Sequence, residues 1–315
     1  MQKSLTKYLS LSLEGHISLW RTRRETLVWL VALIIQTGTV SLWRLAGHVD
    51  TRAKTLSVHR RFERFFQYVH LDEASIAQLI AHIMGLAGKP WHLALDRTNW
   101  KFGRCHINIL MLGVVHENVC IPLFWVLLDK AGNSNARERT DLMGRLNETF
   151  PDQPIASLSG DREFIGERWM KWLENQGIPF VLRLKVNMFI WKEGYVPVKL
   201  SVHARRLEKR QKCILKGTWY LGRDPEKKTT PIKVAMMRLK TGEMLIQNQN
   251  GPAHISEPLG HRNAVLLPEN TRLWAGRYTY DRRPQIGNVD RHSGHRVLPR
   301  LQSRPLGCPS KTASA

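Results

Sequence analysis

Two aspartates follow short apolar runs, and they are the first residues in this chain whose type and position could do chemistry. Asp96 closes the run Trp91 to Leu95, and Asp161 comes just after the run Pro154 to Ser159. Carboxylates at the ends of neighbouring strands converge on one point, however far apart they lie in sequence. Hard oxygen ligands of this kind suit Mg²⁺. A pair of such cations performs phosphodiester chemistry: one activates the attacking hydroxyl and the other stabilises the leaving oxygen. The plain alternative is that each Asp is buried or caps a turn, and spacing alone does not separate the two.

The elements that would position these acids follow from periodicity. Residues 1–88 read as helical: Trp29, Ala32 and Leu33 recur at helix spacing, as do Phe62, Phe65, Phe66 and Val69. Arg21, Arg23, Arg24, Arg60, Arg61 and Arg64 are interleaved with them. These basic helices either dock on DNA or present a solvated face. Over residues 89–185 the texture changes to short apolar runs bounded by polar residues, as in strands. The runs are Trp91 to Leu95, Ile107 to Val115, Ile121 to Leu128, Pro154 to Ser159 and Pro179 to Leu184. Helices are predicted from about Asn135 to Phe150 and from Ile165 to Gln176.

That order is three strands, helix, strand, helix, strand. Short connections make the first three an antiparallel meander, and helical crossovers bring the later strands in parallel. The predicted fold is therefore α/β, a ribonuclease H-like mixed sheet with a helical N-terminal region. In that fold the first and fourth strands are neighbours, which brings Asp96 beside Asp161. Residues 186–250 read as a β-rich insertion, with strands at Cys213 to Leu221, Ile232 to Leu239 and Glu243 to Ile246. Residues 251–315 are rich in Arg, Pro and Gly and have no period, so order is not expected there.

Composition narrows the partner. The chain has 315 residues, with Lys plus Arg 48 against Asp plus Glu 26, a net charge of +22. A field of that sign attracts polyanions such as DNA or RNA, the alternatives being a ribosomal-type or membrane-surface basic protein. Cys105, Cys120, Cys213 and Cys308 form no close pair, so neither a zinc site nor a disulfide framework is predicted, and a reducing cytoplasm is the expected location. The apolar run Val28 to Ile35 is too short to span a bilayer and reads as a buried helix.

The segments around both acids carry a family resemblance. Leu93-Ala94-Leu95-Asp96-Arg97-Thr98-Asn99-Trp100 resembles the first catalytic segment of the IS-four family of bacterial insertion-sequence DDE transposases, and Asp161-Arg162-Glu163-Phe164-Ile165-Gly166 resembles the second. The run Ile107 to Leu128, with Asn108-Ile109-Leu110 and Ile121-Pro122-Leu123, is similar to the family core. The resemblance spans roughly residues 1–254, most clearly 91–190. It implies that Asp96 and Asp161 are the first two catalytic, metal-binding acids. It also implies Mg²⁺, cut-and-paste transposition, binding of terminal inverted repeats and target DNA, a dimer on paired ends, and a β-rich insertion before the third acid.

That third acid is a helical Glu in the pattern Tyr-x-x-Arg-x-x-x-Glu-x-x-x-x-x-x-Lys, and the chain lacks it. Glu257 is followed at once by Pro258, Glu269 by Asn270, and Glu163 already belongs to the second motif. Codons that could encode Ile255 to Asp281, read one nucleotide later, give a run that begins Tyr-Arg-Asn-Arg-Trp-Asp-Ile-Glu-Met-Leu-Phe-Ser-Cys-Leu-Lys, with the full pattern and a helical apolar period. Trp and Met have single codons, which limits chance agreement. The chain therefore reads as frameshifted near residue 254, with the lost Glu codon straddling Arg262 and Asn263.

The expected function is a transposase impaired by that loss. The alternatives are a nuclease of the same fold and a non-catalytic DNA-binding remnant that competes for transposon ends. Weaker candidates are His92, Arg97, Asn99 and Lys185, while Trp100, Trp125, Trp169 and Trp172 are expected in the core.

Overall fold

The computed structural model describes residues 2–102, 105–117, 119–227, 229–239 and 244–250. The tail at 251–315, with its expected frameshift and loss of order, lies outside the described residues. The N-terminal region is helical: α1 (Gln2–Glu14), α2 (Arg21–Thr37), α3 (Leu42–Ala46), α4 (Thr55–Tyr68) and α5 (Glu73–Ile83).

Helix α4 shows why this region folds as helices. Val58, Phe62 and Phe65 repeat at i, i+4 and i+7 and bury one stripe against Leu30 and Leu33 of α2 and Leu45 of α3. Phe66, expected with that stripe, is exposed because it falls one residue off the period. Helix α2 buries Val28, Leu30, Ala32 and Leu33, as expected for the apolar run, and leaves Ile35 exposed. It stops at Gly38, whose φ of 65° is the left-handed turn that Gly adopts without penalty. No described helix is long and apolar enough to cross a membrane.

After α5 come β1 (Trp91–Phe102), β2 (Cys105–His116), β3 (Val119–Leu128), α6 (Ala136–Thr149), β4 (Ile155–Gly160), a 3-10 turn (Arg162–Phe164), α7 (Glu167–Asn175) and β5 (Phe180–Arg183). The later elements are β6 (Phe189–Trp191), β7 (Val198–Lys199), α8 (Leu200–Ala204), β8 (Lys212–Ile214), β9 (Tyr220–Leu221), β10 (Lys233–Arg238) and β11 (Met244–Asn250). The main sheet runs β3-β2-β1-β4-β5-β11-β10-β8. β1, β2 and β3 form the antiparallel meander, while β4 joins β1 in parallel and β5 joins β4 in parallel. This is the ribonuclease H-like mixed sheet predicted from the order of elements.

Three features depart from the predicted elements. β1 does not stop at Asp96 but continues to Phe102, because its antiparallel ladder with β2 extends beyond the end of β4. What ends at the acids is the parallel ladder, whose last pair is Leu95 with Gly160. The expected strand Cys213 to Leu221 is broken in two, since Gly217 takes a φ of 87° between β8 and β9. The expected β-rich insertion is also divided. β8, β10 and β11 extend the main sheet from the edge of β5, whereas β6, β7 and β9 form a separate three-stranded sheet.

One face of the main sheet holds the core. Leu93, Leu95, Leu110, Leu112, Val114, Leu158, Phe180 and Leu182 pack there with Leu142, Met143 and Leu146 of α6 and Trp169, Met170 and Leu173 of α7. Helix α6 starts at a capping box: the Asn135 side chain accepts from the Glu138 N–H, and the Glu138 carboxylate accepts from the Asn135 N–H. Burial alone would raise the Glu138 pKa. The Lys130 hydrogen bond and the Asn135 N–H outweigh it and hold the carboxyl below its ordinary value. Asn135→Ala is expected to lower stability by about 1 kcal/mol, read as a shift in the urea midpoint.

Candidate active site

Alternation along β1 sends Leu93, Leu95 and Arg97 to the helix-covered face and His92, Ala94 and Asp96 to the other. The β1–β4 register pairs Ala94 with Ser159 and Leu95 with Gly160, so Asp96 and Asp161 occupy the next step on adjacent strands. Neighbouring strands lie roughly 4.8 Å apart, so the two backbones are held side by side where both acids begin. Gly160 makes the packing close there: a Cβ would lie 3.0 Å from side-chain carbons of Phe164 and Leu182, which would have to shift to admit it. Its absence lets the 3-10 turn fold tightly against β5.

The surroundings of the acids are mixed in charge. Asp96 Oδ1 accepts from the Arg97 N–H at 2.8 Å, at the step where the ladder to β4 has ended. Asp161 Oδ1 lies 3.5 Å from the Arg183 Nη1 on β5. Cys120 lies on the Asp96 side of the sheet, its Sγ beside Gly113, which pairs with Ala94; burial, with the Asp96 charge adding to it, pushes its thiol up to about 11. His92 shares that face, and its Nδ1 meets Ser157 Oγ at 2.9 Å.

On the opposite face lies a polar network that the sequence did not reveal. Arg97 forks onto Glu163, with Nε at 2.9 Å and Nη2 at 2.7 Å from Oε2. Arg97 Nη1 donates to Asn108 Oδ1 at 3.1 Å. Asn108 is 1% exposed, and its Nδ2 donates to the Lys130 and Gly132 carbonyls. Arg139 of α6 is 4% exposed and donates to Ser134 Oγ, the Phe164 carbonyl and the Glu163 carbonyl. Burial pulls its pKa down, and the Glu163 and Glu138 charges act against that. A polar Asn108 inside an apolar strand was the one visible signal of this network; a buried Arg139 near the start of a polar helix gave none.

The weaker candidates resolve in different ways. Arg97 is committed to Glu163 rather than to a turn. Trp169 is buried and stacks on Trp172 at 5.4 Å, as expected of core residues, but Trp125 is 37% exposed because its position on β3 faces away from α6 and α7. The Trp100 side chain lies outside the described residues. Among the described residues no group of three His, Cys, Asp or Glu side chains is placed to hold a metal ion.

Comparison with known proteins bears on this site. A search of curated proteins finds no significant match. Among solved structures the chain is similar to a piggyBac transposase synaptic complex with hairpin DNA, determined by cryo-EM, with a TM-score of 0.37 and 11% identity. That alignment covers 79% of this chain and 57% of the other. A family profile described as "Transposase DDE domain" matches residues 87–237, which contain Asp96, Asp161 and all of the network around them. The segment that holds the acid pair is thus similar to the transposase DDE domain family.

Proposed function

We propose that this chain is an insertion-sequence transposase of the IS-four kind that binds terminal inverted repeats and lacks its third catalytic acid. The observation that carries the reading is the register: Asp96 and Asp161 take consecutive positions past the last β1–β4 pair, inside the matched domain. Two carboxylates on adjacent strands suit a hard divalent cation such as Mg²⁺, and Asp96 and Asp161 would hold it. When bound, the cation supplies Lewis-acid stabilisation of charge on the phosphodiester oxygens. Arg183, beside Asp161, contributes a fixed positive charge toward a DNA phosphate on the same side.

The impairment is attributed to a frameshift near residue 254. Glu163 is no substitute for the lost acid, because the fork from Arg97 holds it on the helix-covered face. That same fact favours the second reading, a non-catalytic remnant that occupies transposon ends. The chain as it stands should therefore bind terminal-repeat duplex and yield little or no cleavage or strand transfer with Mg²⁺. Robust turnover in a cleavage assay would refute the impairment, and failure to bind any duplex at low salt would refute the transposase reading itself.

DNA contact by residues 1–88 belongs to this proposal. Arg61 is internally engaged, stacked 4.4 Å over Trp29 and bonded to Thr26. Arg60 and Arg64 lie exposed one turn apart on α4 with no ion-pair partner among the described residues. Each phosphate contact contributes about 0.9 to the slope of log K against log salt. Arg60→Ala with Arg64→Ala is expected to flatten that slope by roughly 1.8 in the full chain. An unchanged slope would leave α4 with a solvated basic face only.

A further inference from the structure

We propose that Arg97 and Glu163 form a positioning pair that fixes the separation of Asp96 and Asp161. This rests on the acid pair being the catalytic site, and it adds a role for two residues that face away from it. The need arises from the topology. The ladder between β1 and β4 ends at Leu95 and Gly160, and the chain after Gly160 turns at once into a 3-10 turn. Both acids thus lie one step past the last paired residues of the two strands. No pair in the β1–β4 register joins the two acids themselves, at the step where a shared cation requires their separation to be set.

The Arg97–Glu163 fork crosses that gap. Arg97 is the residue after Asp96, and Glu163 is two residues after Asp161, so the pair joins the two acid-bearing segments from the other face of the sheet. Its side chains are only 15% and 19% exposed, and the contact is a fork rather than a single point charge. A surface ion pair of two mobile side chains fixes little. This one is held at both ends. Asn108 fixes Arg97 Nη1 and is itself tied to two loop carbonyls. Arg139 grips the backbone of the turn through the carbonyls of Glu163 and Phe164. The result is a cross-brace from β1 to the turn, anchored on β2 and α6, directly behind the carboxylates.

The test is Mn²⁺ binding to the full chain at millimolar concentrations, followed by electron paramagnetic resonance, with thermal melting as the control for folding. Groups that orient metal ligands typically change affinity by about 10–100-fold when removed. Arg97→Ala and Glu163→Gln are each expected to weaken Mn²⁺ binding by about that factor, and the double variant to be no worse than either single one. Arg97→Lys keeps the charge and loses the fork, so it is expected to lose most of the affinity while remaining folded. Arg97→Lys with unchanged Mn²⁺ affinity overturns the proposal. So does tighter binding by Arg97→Ala, which would make Glu163 a latent ligand released from its partner. A chain whose Mn²⁺ affinity is absent, or unaffected by Asp96→Asn, refutes the acid pair itself, and the positioning role falls with it.

Discussion

Restoring the shifted reading frame after codon 254 is expected to raise Mg²⁺-dependent strand transfer by about a thousandfold or more. Metal-bound charge stabilisation in phosphodiester chemistry is worth several kcal/mol, and about 4 kcal/mol corresponds to roughly three powers of ten in rate. Asp96 and Asp161 supply two carboxylates on adjacent strands. The shifted frame would add a Glu and a basic Arg and Lys at helical spacing. Glu163 cannot take that place while Arg97 holds it on the far side of the sheet. The measurement is joining of labelled terminal-repeat duplex to a target plasmid, comparing the chain as it stands, the restored chain, and the restored chain with Asp96→Asn. Equal, low activity in all three, with terminal repeats still bound, would show that the frame is not what limits the protein. A gene whose next frame does not encode the helical pattern would end the idea before any assay.

The sheet was legible from the sequence because its signals are local. Each apolar run in 89–185 carries its own strand period, and the capping box at Asn135 marks the start of α6. The short turns between runs leave few ways to connect them. The point at which β1 ends was not legible. Asp96 reads as a terminus since polarity begins there, yet pairing with β2 carries the strand on to Phe102. Likewise the continuation of the sheet through β11, β10 and β8 depends on a partner strand more than sixty residues away along the chain, which no local period encodes. The acids and Arg97 were legible by type and position; the partners that hold Arg97 behind the acids were not. Arg97, Asn108, Arg139 and Glu163 come from four separate segments, and their meeting is a product of the tertiary fold.

Arg139→Ala is expected to be the most damaging single substitution for folding, costing about 3–5 kcal/mol. The guanidinium is almost fully buried and serves Ser134, Glu163 and Phe164 at once, while its carbon atom lies 5.1 Å from the Phe164 ring centroid. Removing it leaves buried carbonyls without donors, each costing about 1–3 kcal/mol, besides opening a void between α6 and the 3-10 turn. Domains of ordinary stability hold only about 5–15 kcal/mol, so the loss is a large share of the total. The readout is urea unfolding followed by tryptophan fluorescence, for which buried Trp169 beside Trp172 is a built-in reporter. Two further variants separate the causes. Arg139→Met restores most of the volume without the donors, and Arg139→Lys restores the charge without the planar fork. If the carbonyl contacts are what matter, both remain well below the unsubstituted protein. A stable Arg139→Met would show that Arg139 acts by filling space, and that the turn that carries Asp161 is held without its carbonyl contacts.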